Sequence, residues 1–177
     1  AAMAPAKAID TLGDLDYDTR TTAARIIRRA SPAQAVPALL QAVASHGDSY
    51  VRFRALVLLT GFNDPRTEAT MVDALASPND RLREVAYGYF ADHPSVALAP
   101  RFLRALASEE SEFVRPALVR SLAALAGSDP SVAGTLIREA GRGLDYFRSS
   151  VIEALGEFRV STGLEPLTAI ARQEGPL

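Results

Sequence analysis

The stretch "DSYVRFRALVLL", residues 48–59, sets Arg52 between Val51 and Phe53 at the mouth of an apolar run. Arginine is rarely buried without a partner, so its position there needs a physical reason. The same arrangement returns four more times, as "DYDTRTTAARII", "NDRLREVAYGYF", "SEFVRPALVRSL" and "DYFRSSVIEAL". The five arginines are Arg20, Arg52, Arg83, Arg115 and Arg148, separated by 32, 31, 32 and 33 residues. Three or four residues before each stands an acid: Asp16, Asp48, Asp80, Glu112 and Asp145. Seven residues after each stands a large apolar side chain: Ile27, Leu59, Phe90, Leu122 and Leu155. Positions three and four after each arginine are small or apolar as well, for example Ala55 and Leu56. This i, i+3, i+4, i+7 spacing marks an amphipathic helix with one buried stripe. Arginine makes up only 18 of 177 residues, so five in register constitute a repeat.

Between these helices runs a second helical set: "PAQAVPALLQAVAS", "PRTEATMVDALAS", "PSVALAPRFLRALAS", "PSVAGTLIREAG" and "TGLEPLTAIARQ". Four of them open on or near a proline, which a first helical turn tolerates. Pro37, Pro100 and Pro166 fall inside the helical pattern, where proline bends a helix. Turn and cap residues punctuate the helices, as in "SHGD", "GFNDP", "SPND" and "AGSDP". No segment alternates with period two. The expected fold is therefore all-α: an α-solenoid of about five stacked antiparallel helix pairs, one repeat domain over residues 1–177.

The apolar–Arg pairs, the acids before them and the helix end "VIEALGEF" at 151–158 resemble a HEAT-repeat protein, in particular the short-period HEAT-like repeat named after phycobilisome bilin lyases. The likeness spans nearly all of residues 14–173. It implies a right-handed solenoid in which each arginine pairs with an acid of its own or the neighbouring repeat. Arg20, Arg52, Arg83, Arg115 and Arg148 would then form a structural ladder with Asp48, Asp80, Glu112 and Asp145. Such pairing would make partial burial of the charges tolerable. Tetratricopeptide and ankyrin repeats have similar periods, but their signatures are absent. A sixth arginine is expected near position 180. Helix 161–173 is therefore expected to lack its partner, as in a fragment of a longer solenoid. Its open face is a candidate for self-association or for cover by another molecule.

Composition narrows the function. Hydrophobic residues are 48% and charged residues 23%, with a formal net charge of −2, so no global field draws the chain to nucleic acid or acidic lipid. No apolar run approaches a membrane span, and "AAMAPAKAID" lacks the apolar segment of a signal peptide. Without cysteine there is no disulfide or thiolate chemistry, which suits a reducing compartment and makes the cytoplasm the expected location. Neither His46 nor His93 is followed by glutamate, unlike the His–Glu pairs of HEAT-like deoxyhypusine hydroxylases. No nucleophile elbow, P-loop or dinucleotide fingerprint is present. No catalytic residue, metal or cofactor is expected. HEAT-like DNA glycosylases use basic and tryptophan residues, and this chain has no tryptophan. Its one basic cluster is Arg25, Arg28 and Arg29.

In HEAT architecture the apolar–Arg helices line the concave face, so residues one and five after each arginine are expected to point into a groove. The first position reads Thr21, Phe53, Glu84, Pro116 and Ser149; the second reads Arg25, Val57, Gly88, Arg120 and Glu153. Phe53 and Val57 interrupt a polar or small pattern and are i, i+4 neighbours on one helix. Gly88 leaves room. The expectation is an apolar hollow rimmed by Arg25, Glu84 and Arg120, with Phe53 either lining it or folding into the core. An apolar centre with a charged rim has the anatomy of a binding hot spot. The expected function is a non-enzymatic scaffold for a protein or peptide partner. A bilin-lyase-like enzyme subunit and a nucleic-acid-binding protein are the alternatives.

Overall fold

A computed structural model describes residues 3–174. Among the described residues there are eleven α-helices and three 3-10 turns. The helices are α1 (Pro5–Asp10), α2 (Tyr17–Arg29), α3 (Pro32–Ser45), α4 (Ser49–Leu59), α5 (Arg66–Ala74), α6 (Asp80–Asp92), α7 (Ala99–Ser108), α8 (Val114–Ala123), α9 (Pro130–Ala140), α10 (Asp145–Glu157) and α11 (Leu164–Glu174). The fold is an α-solenoid. The arginine-bearing helices are α2, α4, α6, α8 and α10. Each is preceded by a second helix: α1, α3, α5, α7 or α9. No helix is long and apolar enough to cross a membrane, among the described residues.

Sequence chemistry explains the helix starts. Asp16 caps α2 by accepting from Thr19 N at 2.7 Å, and Asp48 caps α4 by accepting from Tyr50 N at 2.8 Å. Asp129 caps α9, accepting from Ser131 N and Val132 N. A capping acid of this kind satisfies amides that the first turn leaves without intrahelical acceptors. Proline opens α1, α3 and α9, where its missing N–H costs nothing. Pro37 lies inside α3. Pro100 and Pro166 do not lie in helix interiors: each sits in a first turn, directly after a 3-10 turn at Val96–Leu98 or Ser161–Gly163. Those 3-10 turns carry the chain up to the helix, so neither proline breaks an established ladder.

The chain divides into two compact units, one up to Val85 and one from Ala86. In the first, α1 packs on α2 and α3, and α3 packs along α4. In the second, α8 packs against α7, α9 and α10. The arginine register predicts the core. The residue seven after each arginine is 0 or 1% exposed in all five copies. Residues three and four after are also buried, apart from half-buried Ile152. Each fully buried Leu, Ile or Phe contributes about 1.5–3 kcal/mol of transfer free energy.

The arginines themselves bind helix ends. Arg52 Nε donates to Val43 O in the last turn of α3 at 2.9 Å, and Arg148 Nε donates to Ala140 O, the last residue of α9, at 3.0 Å. Arg83 Nη1 donates to Ser77 O and Pro78 O after α5. Arg20 Nη1 donates to Asp14 O and Leu15 O. Carbonyls at a helix C-terminus lack intrahelical donors and carry the negative end of the dipole. A guanidinium there satisfies the carbonyls and ties the two helices of a pair together.

These arginines thus take backbone partners in addition to the acids expected for the ladder. Asp16 and Asp48 work as N-caps, and acid–arginine contact within a repeat is seen at Asp145–Arg148, 3.7 Å apart. Glu112 is exposed and joined to Arg115 by no hydrogen bond or ion pair, among the described residues. Thr19 hydrogen bonds chiefly hold the Asp16 carboxyl below its usual range, with a smaller contribution from the Arg20 charge.

Candidate partner-binding surface

Helix α4 carries apolar residues beyond its core stripe. Val51, Ala55, Leu56 and Leu59 form its buried stripe, while Phe53 and Val57 are half-buried elsewhere on its circumference. A helix with apolar residues outside its core stripe has a second surface to cover. Phe53 is therefore neither a core side chain nor a free one. One turn before it, Tyr50 brings its ring to 5.8 Å between centroids, tilted by 51°. The Arg81 guanidinium, at the start of α6, lies 5.8 Å from the Tyr50 ring and 5.7 Å from the Phe53 ring. One cation over two rings is an arrangement worth about 0.5–1 kcal/mol per contact at an exposed site. The stacked guanidinium retains its in-plane N–H groups for another acceptor.

The other expected groove residues are distributed differently. Arg25 and Glu84 are exposed, and no hydrogen bond or ion pair joins either to this cluster among the described residues. In the second unit, a Cβ at Gly88 would meet nothing within 4 Å among the described residues. Arg120 is not a free rim charge. Its Nε and Nη2 donate to Glu157 Oε2 and Oε1 at 3.0 and 2.8 Å, bridging α8 to the end of α10. The forked geometry is the strong form of this pair. It holds the Glu157 carboxyl below its usual range and raises Arg120, each chiefly through the shared hydrogen bonds.

Tyr50, Arg81 and Glu157 were outside the sequence-based site. Tyr50 had a legible signal, standing three residues before Phe53 on the same helix face. Arg81 and Glu157 act across helices, at a distance that periodicity within one helix does not encode.

The histidines have local work. His46 Nδ1 accepts from Asp48 N at 3.0 Å, which leaves the proton on Nε2, 3.4 Å from Asp10 Oδ1. His93 Nδ1 donates to Tyr89 O at 3.1 Å, and its ring stacks on Tyr89 at 4.2 Å. No group of three or more His, Cys, Asp or Glu side chains is placed to hold a metal, among the described residues.

Comparison with known proteins agrees with this architecture. The family model for HEAT repeats matches residues 5–91. A crystal structure of an engineered protein superposes with a TM-score of 0.50 at 17% identity, covering 98% of this chain and 93% of that one. At that identity the likeness speaks to fold alone. No curated protein matches the chain. The matched segment includes α1 to α5 and most of α6, and the arginine-anchored pair recurs in α7–α8 and α9–α10. Over residues 5–91 the chain matches the HEAT-repeat family, and the helix pairs that follow repeat the same pattern.

Proposed function

We propose that this chain is a non-enzymatic scaffold that binds a protein or peptide partner through the Tyr50, Phe53, Val57 and Arg81 surface. HEAT repeats generally serve as protein-interaction scaffolds, and stacked repeats present extended binding surfaces. The observation that carries the reading is the half-buried aromatic pair under Arg81. Tyrosine and arginine dominate interface hot spots, where a rigid ring supplies area at little entropic cost. Phe53 and Val57 supply the apolar centre. Arg81 supplies a charge held in place by the rings and able to meet an acceptor on the partner.

The test is quantitative affinity capture from lysate of the source organism. Wild type, Phe53→Ser and a control at exposed Val96, Val96→Ser, are compared after circular dichroism shows each is helical. Loss of a hot-spot side chain costs about 2 kcal/mol or more, roughly 30-fold in affinity. A partner held by wild type and Val96→Ser but depleted by that order with Phe53→Ser supports the surface. Equal retention by all three overturns it. Should Phe53→Ser unfold, Tyr50→Ala reads the same surface.

A further inference from the structure

The fourth arginine departs from the pattern of the other four. Arg20, Arg52, Arg83 and Arg148 donate to carbonyls at or just after the end of the preceding helix. Arg115 Nε is buried and meets no acceptor among the described residues. Its guanidinium lies instead on the Phe147 ring, 4.0 Å from the centroid. The acid three residues earlier, Glu112, is exposed and makes no ion pair with it. The ring strips water from one face of the charge while supplying no hydrogen-bond acceptor. A desolvated cation with unmet hydrogen-bonding capacity is costly, and an anion meeting the open side of the guanidinium would offset part of that cost through charge.

Arg115 opens onto a hollow of about 290 Å³, also lined by Glu139, Arg142, Leu144, Tyr146 and Phe147. Glu139 Oε1 accepts from both Nε and Nη2 of Arg142, and no hydrogen bond or ion pair joins Glu139 to Arg115 among the described residues. That bond commits the Glu139 charge and raises Arg142. With this pair balanced, the hollow carries the Arg115 charge in excess. The turn at Gly143, φ +93°, leads directly into Leu144, which is 68% exposed. Tyr146 is 42% exposed beside it. The wall thus combines one arginine that lacks its carbonyl with an apolar rim.

We infer that this hollow is a docking site for an acidic segment of a partner protein, taking an Asp or Glu carboxylate on Arg115 and a neighbouring apolar side chain against Leu144 and Tyr146. Charge complementarity selects the acid, and the stacked guanidinium is pre-oriented to meet it. The site lies in the second compact unit and uses none of Tyr50, Phe53 or Arg81, so it stands or falls separately from the surface proposed above.

The full chain is titrated by NMR with a blocked tetrapeptide alternating glutamate and leucine. The Arg115 Nε–H and the amides of residues 142–147 are followed. The expected result is saturable shifts at those positions. The glutamine-for-glutamate peptide should bind at least about tenfold weaker, in keeping with loss of a charge-assisted pair. Arg115→Gln should abolish the shifts. Leu144→Ser, at an exposed position, should weaken binding about fivefold through lost apolar contact, and it keeps the test decisive if Arg115→Gln fails to fold. Val96→Ser, at an exposed position outside both surfaces, should leave this binding unchanged. The inference is overturned by equal affinity for the glutamine peptide, or by no shift up to about 10 mM peptide. Acetate or inorganic phosphate matching the peptide at equal concentration also overturns it, since the apolar rim would then contribute nothing.

Discussion

Gly13 shows how closely the first repeat is fitted. A Cβ built on it would lie 2.7 Å from Asp48 Oδ2 and 2.9 Å from Val51 Cγ2. Asp48 is the N-cap of α4, and Val51 is a core residue of the same helix. The carboxylate could swing away, but only by loosening its cap; the valine is locked in the core. Replacing glycine by alanine ordinarily stiffens the unfolded chain and gains about 0.4–1 kcal/mol. Overpacking a fitted contact costs about 1–3 kcal/mol, and here the clash wins. Gly13→Ala is therefore expected to lower stability by about 1–2 kcal/mol in urea unfolding. A neutral or stabilised variant would show that the 3-10 turn can back away from α4 freely.

At the level of helices, the end of α10 holds an improvable feature. Val160 N donates to Leu155 O and Arg159 N to Gly156 O, the paired bonds of a Schellman cap. Leu155 and Val160 are both buried, completing the motif's apolar contact. The residue in its left-handed position is Arg159, φ 52°, where glycine is usual. Arg159→Gly keeps every bond of the cap and removes the Cβ penalty. It should raise stability by about 0.5–1 kcal/mol, read as a higher Tm; an unchanged or lower Tm would mean that the arginine side chain contributes more than its backbone costs.

How far such elements could be read in advance depended on whether their cause is local. Five arginines in register located α2, α4, α6, α8 and α10 and named their buried residues, because one helix's periodicity encodes one helix's face. Helix α1 has six residues, too few to show a period. Pro100 and Pro166 looked interior because the 3-10 turns before them read in sequence as the first residues of the helix. For the candidate site, Phe53 and Val57 were legible as exceptions within a repeat column. Arg81 over the rings and Arg120 on Glu157 were not, since those contacts depend on how successive helices meet. The carbonyl contacts of the anchoring arginines were missed for a similar reason. An acid nearby in sequence is visible, whereas a carbonyl at a helix end belongs to the backbone and leaves no mark in the side-chain pattern.

Over the whole chain, a solenoid differs from a globule in how a local defect spreads. Each repeat contacts its neighbours, so stability is approximately a sum of repeat terms and interface terms. The two compact units, parting between Val85 and Ala86, follow the same logic. Leu136 is fully buried in α9, which packs on α8 and α10. Leu136→Ala removes three carbons from that core and should cost about 2–5 kcal/mol locally. If the chain unfolded as one cooperative body, the slowest-exchanging amides of every helix would lose protection by the same free energy. If stability is a sum of neighbour terms, the loss concentrates in α8, α9 and α10, while α1 to α4 keep their protection. Native-state hydrogen exchange of wild type and Leu136→Ala distinguishes the two, and the concentrated pattern is the expected one. A uniform loss from α1 to α11 would instead show a single cooperative unit, in which damage at one repeat would reach binding surfaces on all the others.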